Sequence, residues 1–188
     1  MKAAFVVFDR MTALDFVGVY DPLTRLRSMG IDPTFEWRIC ARQPSVTDDR
    51  GLRFTPDSVG EPLAGFDLLI VPGGYGARPL MHDADFLSWL GTATAVPLKA
   101  SVCTGSLLLG AAGWLHEKPA TTHPQSYAEL APFCSEVRHD RIVDAGDVIT
   151  AGGVTAGIDL GLYLVERIAG PEAATRVRRQ MDYPHHSR

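Results

Sequence analysis

Lys99-Ala100-Ser101-Val102-Cys103-Thr104-Gly105-Ser106-Leu107-Leu108-Leu109 is the stretch that decides the fold. Residues 98–102 form a short, largely apolar run of the kind that fills a buried parallel strand. Residues 104–112 then read as a helix, stopped by Gly113. Almost nothing separates the two, so Cys103 falls in the turn between them. Gly105 and Ser106 are small enough to let that turn be sharp, a nucleophile elbow. In open α/β sheets ligands bind beyond the carboxyl ends of the strands, which is where this turn lies.

Outward from the elbow, apolar runs alternate with helical stretches. Residues 3–8 and 35–41 read as strands. So does Leu68–Val71, closed by Pro72-Gly73-Gly74. Asp21-Pro22 looks like an N-cap followed by proline at the first helical position, with the helix running to Met29 and stopping at Gly30. Residues 83–94, 156–168 and 171–180 read as further helices. Residues 141–144 and 148–151 flank Ala145-Gly146-Asp147 as a hairpin. This alternation predicts an α/β three-layer sandwich with a mainly parallel central sheet flanked by helices. The 188 residues show no linker, repeat or low-complexity tract and suit one domain, 1–188.

Composition narrows the function class. Hydrophobic residues are 46% and charged residues 21%, ordinary for a globular protein, and the net charge of −4 argues against a nucleic-acid partner. The one basic cluster, Arg176, Arg178, Arg179 and Arg188 against Asp182, reads as a solvated helix and tail. The N-terminal apolar run is too short for a signal segment and ends in charge; no run approaches the roughly 18 apolar residues of a membrane span. Three cysteines without a CxxC pair indicate neither a disulfide framework nor a zinc site. A cytoplasmic protein without a metal is expected.

The elbow predicts chemistry at Cys103. Unpaired backbone N–H groups and the positive helix end favour a thiolate there, lowering its pKa, and the same N–H groups suit negative charge on a substrate. The opposing reading, an inert packed thiol, is assigned to Cys40 in its strand and to Cys134 near a strand start. Asp15, in a loop among Leu14, Phe16 and Val17, is a desolvated carboxyl whose pKa should rise enough to hold or deliver a proton near neutrality. Gly73 and Gly74 offer backbone N–H donors at a strand end. His123 is either a third catalytic member or a structural histidine.

Taken together, these motifs resemble the ThiJ/PfpI superfamily, whose fold is like that of class I glutamine amidotransferases. The likeness runs through Leu14-Asp15, Ile70-Val71-Pro72-Gly73-Gly74, Ser101-Val102-Cys103-Thr104-Gly105, Ala120-Thr121-Thr122-His123 and Thr150-Ala151-Gly152-Gly153-Val154-Thr155-Ala156-Gly157-Ile158-Asp159. Peptidase-type and many glyoxalase-like members carry histidine after the cysteine; here that position is Thr104. The pattern is instead similar to the isonitrile hydratase branch, and to the ligand domains of AraC-type regulators. Those regulators continue into a helix-turn-helix domain, whereas this sequence ends at Arg188, which favours a standalone enzyme.

The branch resemblance implies a small isonitrile as partner, no cofactor, and a homodimer. It implies Cys103 as nucleophile, Asp15 as proton carrier, and Thr104 orienting the intermediate, with Gly74, next to Gly73, giving a second N–H. Leu14, Phe16, Tyr75 and Val154 would line an apolar pocket. Two departures bear on the substrate: Pro124 stands where the branch has tryptophan, and Gly18-Val19-Tyr20-Asp21-Pro22 replaces a shorter Gly-Pro segment. A redox-responsive protein whose Cys103 is oxidised, or a ligand-binding regulator subunit, are the other readings of the same motifs.

Overall fold

The structure, a computed structural model, describes residues 1–184. Among these, seven strands form the central sheet: β1 (Lys2–Val6), β2 (Glu36–Ala41), β3 (Ser58–Val59), β4 (Leu68–Val71), β5 (Leu98–Val102), β6 (Ile142–Asp144) and β7 (Val148–Ala151), in the order β6-β7-β5-β4-β1-β2-β3. Every pairing is parallel except β6 with β7, the hairpin read from 141–151. All side chains of β4, β5 and β7 are buried, as a strand covered on both faces requires. The register sets Phe5 against Ile70, Ile70 against Ala100, and Ser101 against Thr150. The carboxyl ends of β1, β4, β5 and β7 therefore finish at one edge, and the segments that follow them meet there.

The helices are α1 (Ala13–Ser28), α2 (Ala77–Leu80), α3 (Ala84–Gly91), α4 (Gly105–Ala111), α5 (Tyr127–Leu130), α6 (Ala156–Ala169) and α7 (Pro171–Gln180). The first of them corrects the sequence reading. It begins eight residues before Asp21, so Asp15 lies in its first turn rather than in a loop, and Pro22 sits inside the helix. Proline there forfeits one backbone hydrogen bond. Close packing offsets the loss: the Pro22 ring sits where a Cβ on Gly161 would be, at 2.8 Å, and Gly18 leaves room for the Gly157 backbone. The α1–α6 contact is thus built on small residues that local propensity does not reveal. The other predicted helices agree within a few residues; Asp83 caps α3 by accepting from the N–H groups of Asp85 and Phe86. Among the described residues no helix is long and apolar enough to cross a membrane. Arg188 of the basic cluster lies outside the described residues.

Candidate active site

Cys103 occupies the turn between β5 and α4 at φ +56°, a left-handed conformation that costs a non-glycine residue of order 1–2 kcal/mol. Main-chain and side-chain hydrogen bonds hold it there. Its N–H donates to the carbonyls of Ala151 (3.0 Å) and Gly152 (2.9 Å), and its own carbonyl accepts from Ser106 Oγ (3.1 Å) and Thr122 Oγ1 (2.9 Å). Gly105 is obligatory in this turn, since a Cβ would stand 2.3 Å from the Val71 carbonyl oxygen.

Asp15 is fully buried beside this thiol. Its Oδ2 accepts the Gly73 N–H at 3.0 Å, while Oδ1 has no partner at hydrogen-bonding geometry and is open to a proton. Burial raises its pKa from 3.8 to about 7, outweighing the lowering influence of the Gly73 N–H and the Cys103 side chain. The sequence expectation for this carboxyl holds in direction and cause.

The expectation of a depressed thiol pKa does not hold. Burial first, and the neighbouring Asp15 charge second, push Cys103 up to about 12. The N–H groups of Thr104 and Val154 and the Thr104 hydroxyl act on the sulfur in the opposite direction without prevailing. A helix of seven residues with its start buried does not compensate for taking a thiolate out of water. The resting pair is therefore a thiol beside a carboxyl that burial holds ready to carry a proton.

Gly73 and Gly74 also differ from expectation. Their N–H groups are spent on side chains: Gly73 on Asp15, and Gly74 on Thr104 Oγ1 at 2.9 Å, with that hydroxyl donating back to the Gly74 carbonyl at 3.1 Å. They fix the Asp15 and Thr104 side chains instead of standing free. The fit is tight, because a Cβ on Gly73 would lie 2.5 Å from the Thr104 nitrogen and 2.9 Å from Asp15 Oδ2. Gly73→Ala is expected to destabilise the fold by about 1–3 kcal/mol and to lower any turnover by displacing both groups. Thermal unfolding and steady-state rates check this, and an unchanged protein would refute the geometry.

A cavity of about 170 Å³ opens onto Cys103, lined in part by Thr104, Gly74, Tyr75, His123 and Val154. Two residues expected in its lining are elsewhere. Phe16 is buried in an aromatic cluster with Phe5, Tyr20 and Phe54, and Leu14 is exposed outside the cavity. The cavity is far more polar than expected, with Thr12, Asp49, Arg50, Arg78, Gln125 and Ser126 completing it. Arg78 is held by Glu129 through two 2.8 Å bonds and by Ser126 at 3.0 Å, and a negative charge on Cys103 would favour its charged form. Asp49 accepts from Thr12 Oγ1 (3.2 Å) and Arg50 (3.0 Å). No motif in the sequence marks Arg78, which follows the Gly73-Gly74 strand end by a few residues. Asp49 and Arg50 arrive on a distant hairpin, in which Val46–Thr47 pairs antiparallel with Arg53–Phe54.

His123 makes no bond to Cys103 or Asp15. Its Nδ1 accepts the Gln125 N–H at 3.2 Å, capping the turn Pro124–Ser126, and its ring covers Gly153, where a Cβ would lie 2.6 Å from His123 Cδ2. Pro124 suits the first position of that turn. Cys40, buried in β2, is pushed up to about 11 by burial, and Cys134 packs at the edge of the core.

With this geometry in place, comparison with known proteins gives five findings. The sequence model of the DJ-1/PfpI family matches residues 1–167. The isonitrile hydratase of Pseudomonas putida is 37% identical over 185 residues, covering 97% of this chain and 78% of that protein. The HTH-type transcriptional regulator CdhR of Pseudomonas aeruginosa is 29% identical over 94% of this chain, which spans only about half (53%) of the regulator. Among solved structures, a ThiJ/PfpI family protein from Pseudomonas syringae superposes with a TM-score of 0.89 at 30% identity, covering 99% of this chain and 76% of that one. DJ-1beta of Drosophila melanogaster shares the fold, with a TM-score of 0.84 at 20% identity over 98% of each chain.

Proposed function

Since the chain belongs to the DJ-1/PfpI family, whose members include enzymes and regulators, we propose that its Cys103–Asp15 pair hydrates an isonitrile to the N-substituted formamide. The observation that carries this reading is the pairing of a buried thiol with a buried carboxyl poised near neutrality. The residue after the cysteine is a threonine tied to Gly74, so the carboxyl is the base at hand. The likeness to the Pseudomonas putida isonitrile hydratase supports the same chemistry.

The atoms balance without a further reactant. The Cys103 sulfur bonds to the terminal carbon of R–NC as its S–H bond breaks; Asp15 takes that proton and returns it to the same carbon. The product is the thioimidate R–N=CH–S–Cys103. Water then attacks this carbon, Asp15 relaying one water proton to the nitrogen and the other to the departing sulfur. The C–S bond breaks, R–NH–CHO leaves and the thiol is restored. Val154 and Thr104 steady the sulfur while it carries negative charge. The charged lining from Asp49, Arg50 and Arg78 favours a substrate whose R group bears polar atoms.

The test is incubation of the protein with p-nitrophenyl isocyanide and chromatographic detection of its formamide. Absence of formamide at high enzyme concentration overturns the proposal. A pH dependence follows as well. Asp15 must start as the carboxylate, so kcat/KM is expected to rise with pH through about 7 and then level off.

A further inference from the structure

The loop 152–155 between β7 and α6 brings the Val154 N–H to the Cys103 sulfur. Val154 does this at φ +30°, a conformation a β-branched residue keeps only where its surroundings impose it. Much of that constraint comes from one residue just before β6. The Arg141 carbonyl accepts the Gly152 N–H at 3.0 Å, on one side of Val154. On the other side the Arg141 guanidinium donates from Nη2 to Thr155 Oγ1 at 3.1 Å, and from Nε to Asp159 Oδ2 at 2.5 Å in the first turn of α6. The Cys103 N–H on the Gly152 carbonyl (2.9 Å), the Gly157 N–H on the Val154 carbonyl (3.1 Å) and the His123 ring over Gly153 add to this grip.

We infer that Arg141 is a positioning residue whose main chain and guanidinium hold the loop on both sides of Val154, and so keep the Val154 N–H on the Cys103 sulfur. This rests on Cys103 being the reacting group of the proposed hydration, but its consequence is a property of the thiol and needs no substrate. Loosening the loop weakens a charge-assisted hydrogen bond to the thiolate, so that Cys103 ionises less readily. The other charged or titratable groups facing the sulfur stay in place: Asp15 from α1, Arg78 from α2, Asp49 and Arg50 from the hairpin beside the cavity, Tyr75 and His123.

The experiment is the pH dependence of Cys103 alkylation by iodoacetamide, read by peptide mass spectrometry, with the Cys134 peptide as internal control. In Arg141→Met the Cys103 profile should move to higher pH, with the rate at a fixed alkaline pH falling about three- to tenfold and the Cys134 rate unchanged. Thr155→Val should shift it in the same direction by less. Arg141→Lys should also shift, because it keeps the charge and loses the forked geometry. Full recovery of the wild-type profile in Arg141→Lys assigns the effect to distant charge and overturns the inference. A folded Arg141→Met with the wild-type profile overturns it too. Should that variant not fold, a Thr155→Val profile equal to wild type does the same. A shifted profile in a protein that converts no isonitrile leaves this inference standing while the hydration reading falls.

Discussion

Cys103→Ala is expected to reduce formamide production by at least about 10³-fold while leaving the fold intact. The sulfur is the atom that bonds to substrate carbon, so its removal eliminates the covalent route altogether. The fold should tolerate the change because the turn is held by main-chain contacts that alanine keeps, from the Cys103 N–H to Ala151 and Gly152 and from its carbonyl to Ser106 and Thr122. Alanine carries the same left-handed penalty as cysteine at φ +56°, and losing one buried sulfur costs about 1 kcal/mol. Cys103→Ser should fail equally, since a serine hydroxyl is still harder to ionise than a thiol already pushed up to about 12. Rates are read from formamide and folding from circular dichroism. Alanine and serine variants with wild-type turnover would remove Cys103 from the chemistry.

Asp15→Asn should lower turnover by roughly 10²–10⁴-fold, the usual worth of a positioned acid–base group, and should abolish the rise of kcat/KM through about 7. It should also change stability in a direction that is unusual for removing a buried contact. The folded pKa of Asp15 is raised, from 3.8 to about 7, so between these values the native protein binds the proton that the unfolded chain has released. Stability contributed by this group is therefore present at pH 4 and is lost as pH rises to 7. The span of about 3 units corresponds to roughly 4 kcal/mol as an upper bound. Asparagine keeps an oxygen for the Gly73 N–H and cannot ionise, but it buries an amide N–H that needs a partner. The net expectation is a variant about 1–2 kcal/mol more stable than wild type near pH 8, with the difference shrinking towards pH 4. Carboxylates with lowered pKa values, such as Glu129 against Arg78, lose stability on acidification in both proteins and cancel in the comparison. Urea unfolding at the two pH values decides it. A variant less stable at pH 8 would show that Asp15 ionises there without strain.

These two residues were legible in the sequence because their signals are local. Four apolar strands with sharp ends fix where chain segments converge, and a cysteine between a strand and a small-residue helix start is conspicuous whatever surrounds it. An aspartate in an apolar run is equally plain. What failed depended on packing between distant segments. Pro22 reads as a helix start, and only the space left by Gly18, Gly157 and Gly161 at the α1–α6 contact shows how the helix passes through it. The thiol was read from its helix start, but its pKa is governed by burial and by Asp15, which the three-dimensional fold supplies. Gly73 and Gly74 read as N–H donors for a substrate, but the partners that take those N–H groups, Asp15 and Thr104, are set by tertiary structure. Asp49 and Arg78 reach the cavity from elements with no motif of their own, so a pocket expected to be apolar is lined with charge.

The central claim is that substrate carbon passes through Cys103. It is tested most directly by rapid acid quenching of the protein with p-nitrophenyl isocyanide, followed by intact and peptide mass measurement. A transient species heavier by one whole isonitrile is expected, located on the Cys103 peptide and decaying as formamide appears. Formamide produced at full rate by a Cys103→Ala variant, or an adduct found on Cys40 or Cys134 instead, would contradict it.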